Sequence, residues 1–126
     1  MTPRKSDAPG PDAARKGDPP RSELLRGTLD MLILQTVSVQ PMHGYGIAAH
    51  IERMSDDVLT VEQGSLYPAL ERLLGKGWVK AKWKESPTGR RARYYSITAS
   101  GQRQLGAEIS SFDRVLAAMN RVLNRG

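Results

Sequence analysis

The side-chain period changes abruptly around Gly75 and Gly77, and that change constrains the fold more than any other feature of the chain. Before it, Leu66, Leu70, Leu73 and Leu74 recur at helical spacing. After it, residues 78–85 alternate, with Trp78, Lys80, Lys82 and Lys84 on one parity and Val79, Ala81 and Trp83 on the other, which is the pattern of a strand. Ser86-Pro87-Thr88-Gly89 supplies a turn, and residues 91–97 return as a second strand. A helix therefore hands over to a hairpin, with glycines at the join. The hairpin is also basic. Between 76 and 93 lie Lys76, Lys80, Lys82, Lys84, Arg90, Arg91 and Arg93 against the single acid Glu85, an excess equal to the whole formal net charge of +6. Charge concentrated in this way is an electrostatic footprint for a polyanion.

The segments on either side complete the order of elements. Leu25, Leu29, Leu32, Ile33 and Thr36 predict a first helix that starts near Glu23 and ends before Pro41. A second helix starts around Gly44, sets Ile47, Ala48, Ile51 and Met54 on one face, and stops in the Ser55-Asp56-Asp57 turn. Thr98 is placed to cap a last helix running to about Asn124. Residues 1–22, basic and rich in proline, have no large apolar side chain after Met1 and are expected to form a disordered leader. The expected fold is mainly α with a small β-hairpin: a winged helix-turn-helix over 23–98, followed by a C-terminal dimerisation helix over 99–126.

The 126 residues suit one domain with a modest core. With no cysteine, disulfides and thiolate metal sites are excluded, which fits a cytoplasmic protein. Asp30 and Gln35 interrupt the best apolar run, so no membrane helix is expected, and the charged start does not resemble a secretory signal. An enzyme is not expected. His43 and His50 stand seven apart with no ligand cluster around them, and no phosphate-cradling loop or nucleophile elbow occurs, so no cofactor or metal is called for.

Pro68 locates the reading helix. Proline lacks the amide hydrogen and clashes with the carbonyl four residues back, which places the helix start at about Gly64 or Ser65, with Ser65 at or near the cap. With the leucines inward, Gln63, Ser65, Tyr67, Glu71 and Arg72 are left for the outer face or its edge, where hydroxyls, an amide and a guanidinium suit phosphate and base-edge contacts in a major groove. The same residues would also suit an ordinary capped surface helix. On the hairpin, Lys82, Lys84, Arg90, Arg91 and Arg93 are the candidate nucleic-acid contacts. Like charges crowded across neighbouring strands should repel, and a polyanion would relieve that repulsion. A lysine-rich strand can also simply guard a sheet edge. Trp78, Trp83, Tyr94 and Tyr95 are expected to pack the hairpin base. In the last helix, Leu105, Ile109, Phe112, Leu116, Met119 and Leu123 alternate spacings of four and three, a narrow heptad seam suited to pairing with a partner helix. Packing on the first helix of the same chain is the competing use.

Five segments taken together resemble the PadR family of bacterial transcriptional regulators: His43-Gly44-Tyr45-Gly46-Ile47, Gly64-Ser65-Leu66-Tyr67-Pro68-Ala69-Leu70-Glu71-Arg72-Leu73, Gly77-Trp78-Val79, Gly89-Arg90-Arg91-Ala92-Arg93-Tyr94-Tyr95-Ser96-Ile97-Thr98, and Gly101. The resemblance spans about residues 24 to 105. It implies a homodimeric winged-helix transcription factor, usually a repressor, on an inverted-repeat operator in double-stranded DNA. It also implies that the helix from Ser65 enters the major groove, that the hairpin reaches the minor groove and backbone, and that Tyr45, Ser65 and Tyr67 lie at the DNA. The single C-terminal helix is similar to the short branch of the family. Some short-branch members hold planar, drug-like molecules between aromatic residues at the dimer interface, so a small-molecule effector is a further partner class; the final helix here offers Phe112 and no tryptophan. The alternative is a winged helix that docks on an acidic protein.

Overall fold

The structure, a computed structural model, describes residues 19–125, with side-chain surroundings from Gly27 onward. Its elements run α1 (Pro19–Val39), β1 (Met42–His43), α2 (Gly44–Met54), α3 (Gln63–Gly75), β2 (Val79–Glu85), β3 (Arg91–Ile97) and α4 (Ala99–Val122). Most of the expected leader, residues 1–18, lies outside the described residues. Its last four residues do not: α1 begins at Pro19, ahead of the expected start at Glu23. Prolines suit a first helical turn, where the missing amide hydrogen has no partner to lose.

The core sits where α1 meets every other layer. Met31, Ile33, Leu34, Thr36 and Val37 of α1 are buried together with Ile47 and Ile51 of α2, Leu66, Ala69, Leu70 and Leu73 of α3, Val79 of β2, Tyr95 of β3 and Leu105 of α4. The expected single stripe on α1 is therefore too narrow. A helix packed by α2, α3, β3 and α4 at once is buried over a wide arc. Thr36 is accommodated because its hydroxyl donates to the Leu32 carbonyl at 2.8 Å. Met54, expected on the buried face of α2, is exposed, because α2 ends there and the chain turns away through Asp56 and Asp57 at positive φ.

The helix α3 starts earlier than Pro68 alone suggests. Its N-cap is Glu62, whose side chain makes no capping bond, so Ser65 is the third helical residue and not the cap. Pro68 is the sixth residue and stays within the helix. It cannot donate to the Gly64 carbonyl, and that one missing bond near the helix start is tolerated.

Two further findings concern the sheet. Met42 and His43, directly after Pro41, add a short third strand, so the order is β1-β3-β2, all antiparallel. Two residues carry no readable period, which is why β1 was not expected. The hairpin register pairs Lys80 with Ser96, Lys82 with Tyr94 and Lys84 with Ala92, while Trp83 pairs with Arg93 and Glu85 with Arg91. Cross-strand partners share a face, so lysines and arginines occupy opposite faces. The expected crowding of like charges across the strands does not occur.

The α4 helix is capped as expected, with the Thr98 hydroxyl accepting from the Gly101 amide at 3.0 Å. A Cβ on Gly101 would run into the Trp78 carbonyl and come within 2.8 Å of Ile97 Cγ1. Replacing Gly101 with Ala is therefore expected to cost about 1–3 kcal/mol of stability and lower Tm by about 4 °C or more in a calorimetric scan. An unchanged Tm would show that the backbone there has room to move.

Candidate nucleic-acid interface

One surface is built by the start of α2, the start of α3 and the hairpin. His43 is the N-cap of α2: its Nδ1 accepts from the Gly46 amide at 3.0 Å. The same ring stands edge-on to Tyr94 at 5.3 Å and stacks near Tyr45 at 6.4 Å. Tyr45 projects into solvent and is 72 % exposed. Tyr67, on α3, lies against Gly44, where any Cβ would come 2.7 Å from its hydroxyl oxygen. Only a glycine lets the ring settle there, so the two tyrosines come to the same cleft. Gln63 and Ser65 are exposed, but Ser65 borders a different cleft, on the α1 side of α3 with Thr28, Pro68 and Arg72.

Arg72 is not part of this surface. Its Nη2 donates to Asp30 of α1 at 2.8 Å, and its Nε is enclosed without a partner. The expected outer-edge position is corrected by this pair: Arg72 is turned toward α1 and ties the two helices together. The helix face that does meet the hairpin carries Glu71, whose carboxylate accepts from Arg93 Nη1 at 3.1 Å.

The hairpin presents two different cationic faces. One carries Lys80, Lys82 and Lys84, with Lys84 Nζ lying 4.4 Å from the centroid of Tyr94. The other looks toward α3 and carries Trp83, Arg91 and Arg93. Arg91 lies over the Trp83 ring and Arg93 over the Tyr95 ring, each at 5.8 Å. Burial pushes the Tyr95 phenol above its ordinary value of 10.0, with the Arg93 charge pulling the other way. Tyr95 belongs to the core as expected, whereas Trp83 is 57 % exposed and does not pack the hairpin base. Its parity is that of Val79 and Ala81, but burial falls away along β2 toward the turn, which leaves Trp83 outside the core. Arg90 is exposed at the turn. Between α3 and the hairpin lies a cleft of about 390 Å³ walled by Tyr45, Tyr67, Glu71, Trp83 and Arg93.

The last helix divides in two. Leu105 is buried in the core of its own chain, so it is not available to a partner. Ile109, Phe112, Leu116, Met119 and Leu123 are exposed, and so are Val115 and Val122. With those two valines the stripe is wider than the narrow seam expected. Among the described residues no group of three or more His, Cys, Asp or Glu could hold a metal ion, and no helix is long and apolar enough to cross a membrane.

A helix-turn-helix whose second helix lies beside a basic hairpin is the winged-helix class. Residues 33–107 match the transcriptional regulator PadR-like family. Solved structures agree. A transcriptional regulator from Clostridium thermocellum superposes with a TM-score of 0.72 at 25% identity over 79% of this chain and 96% of that one. A PadR-like regulator from Bacillus cereus gives 0.69 at 28% identity over 82% and 99%. An uncharacterised protein of Lysinibacillus sphaericus is 27% identical over 95 residues, 75% of this chain and 87% of that protein. The chain belongs to the PadR-like family of transcriptional regulators, and DNA-binding regulation of transcription is its function.

The Asp30 pair yields a prediction that separates scaffold from surface. Arg72→Gln is expected to lower stability by about 1 kcal/mol, discounted for partial exposure, while leaving duplex-DNA affinity unchanged in a binding titration. Loss of affinity at unaltered stability would return Arg72 to the DNA.

Proposed function

We propose that this regulator is a sequence-specific homodimeric repressor in the cytoplasm that binds an inverted-repeat operator. In this reading the start of α3 enters the major groove, where Gln63, Ser65 and Tyr67 meet base edges, and Tyr45 at the start of α2 lies beside the adjacent backbone. The wing supplies affinity and register through Lys82, Lys84, Arg90, Arg91 and Arg93. The observation that carries the proposal is the pairing of Tyr45 and Tyr67 in one exposed cleft with the arginine face of the wing. Polar reading groups and phosphate-binding groups then approach a duplex from one side.

Subunit pairing falls to the second half of α4. An exposed stripe from Ile109 to Leu123 supports it, and its extra width at Val115 and Val122 suits contact with more than one partner helix. A small-molecule effector completes the reading. A cleft of about 370 Å³ between α1 and α4, lined in part by Met31, Gln104, Phe112 and Val115, borders that stripe, so a ligand there would bear directly on pairing.

Selection from random oligonucleotides tests the central claim: it should enrich an inverted repeat, and enrichment of none would end the proposal. On the selected site, Tyr67→Ala should weaken specific binding roughly tenfold or more, as loss of a base contact worth about 1–3 kcal/mol requires, with little change on random duplex. Equal loss on both would remove Tyr67 as a reader. Phe112→Asp should give monomers in sedimentation velocity, and a persisting dimer would assign the stripe to another use.

A further inference from the structure

The cleft between α3 and the wing holds an acid where a polyanion is meant to lie. Its walls offer the Arg93 guanidinium, the Tyr45 and Tyr67 rings and the exposed Trp83, yet Glu71 projects among them with 64% of its side chain accessible. Of the wing's arginines, Arg93 is the one whose guanidinium reaches a carboxylate among the described residues. We propose that the Glu71 carboxylate stands in for a backbone phosphate in the DNA-free protein, so that the cleft is a phosphate-exchange site at Arg93. The inference rests on the DNA-binding surface proposed above and adds one specific subsite to it.

The argument is one of matched chemistry. A guanidinium binds a carboxylate and a phosphate with the same donor fork, so the groups that hold Glu71 can hold a phosphate without rearrangement. Arg93 is kept ready by the Tyr95 ring on its own strand. An exposed ion pair is weak enough to give way to a polyanion. Exchange has a consequence that simple capture lacks. Glu71 is released beside a phosphate, where its charge opposes binding, and fewer counterions leave the DNA per wing arginine than the charge count implies. The effect acts on every duplex alike and limits how firmly bulk DNA holds the protein.

Binding of a random-sequence duplex, followed by fluorescence anisotropy between about 50 and 200 mM salt, tests this in the full chain. Glu71→Gln should tighten binding roughly two- to fivefold, the range an exposed pair supports, and steepen the logarithmic salt slope by up to about 0.9. In an Arg93→Gln background the same change should lose most of that gain. Unchanged or weaker binding by Glu71→Gln overturns the proposal, and so does an equal gain in both backgrounds, which would mean a general field effect. Arg90→Gln and Arg91→Gln separate the two levels of inference. If both leave affinity and slope untouched, the wing is not on DNA and the surface itself is wrong. If they weaken binding while Glu71→Gln is silent, only the exchange fails. Exposure of Glu71 makes misfolding of the variant easy to exclude by thermal unfolding.

Discussion

The placement of the wing against α3 and α4 depends on one small knot of hydrogen bonds around Trp78 and Thr98. The Trp78 amide donates to Leu73 at the end of α3, the Thr98 amide donates to the Trp78 carbonyl, and the Thr98 hydroxyl donates to the Gly77 carbonyl while capping α4 through Gly101. Four bonds, each 2.7–3.0 Å long, thus join the end of α3, both ends of the wing and the start of α4. Lys76 Nζ, 5.1 Å from the centroid of the Trp78 ring, covers the same corner. The wing has no independent core of its own, and a hairpin alone is marginal in water. It stands where it does relative to α3 because the chain is pinned on both sides of it.

Given that pin, the register divides the wing's charge in a useful way. A hairpin with seven cations nearby would be expected to resist its own formation. Here lysines oppose Ser96, Tyr94 and Ala92, Arg91 opposes Glu85, and Arg93 opposes Trp83. Aromatic rings beneath Lys84, Arg91 and Arg93 offset part of the remaining repulsion, each such contact being worth about 0.5–1 kcal/mol at exposed sites. The wing can therefore be folded and cationic before any polyanion arrives. In the proposed complex, binding then draws on a surface already in place, which lowers the ordering cost of association.

The parts of the fold that were legible in the sequence are those governed by period and by local chemistry: the leucines of α3, the alternation of β2 and β3, and the Thr98 cap. What was not legible depends on partners distant in the chain. Arg72 looked like an outward group on α3, but Asp30, 42 residues away, takes it; Tyr67 does face outward, and the bare backbone of Gly44 decides where its ring rests. The opposite faces of the lysines and arginines needed the register, which the turn decides, since a slip of one residue inverts every face. Leu105 and Ile109 belong to one heptad pattern, yet the first is core and the second is surface. A period identifies a stripe and cannot say where along it one neighbour ends and another begins.

That division of α4 bears on how pairing and DNA reading are coupled. The helix has 24 residues, which at 1.5 Å per residue makes it about 36 Å long. Its first turns are fixed to the wing through Thr98 and Gly101 and to the core through Leu105, with no break before the exposed stripe begins. In the proposed dimer the pairing stripe and the wing are thus two ends of one rigid element. The separation of the two reading helices, which must match half-sites about 34 Å apart, is then set by how the α4 stripes pack. A ligand that shifts that packing need not touch the DNA surface to change its fit. In that dimer a rotation at Phe112 would be carried along α4 to Thr98 and so to the wing.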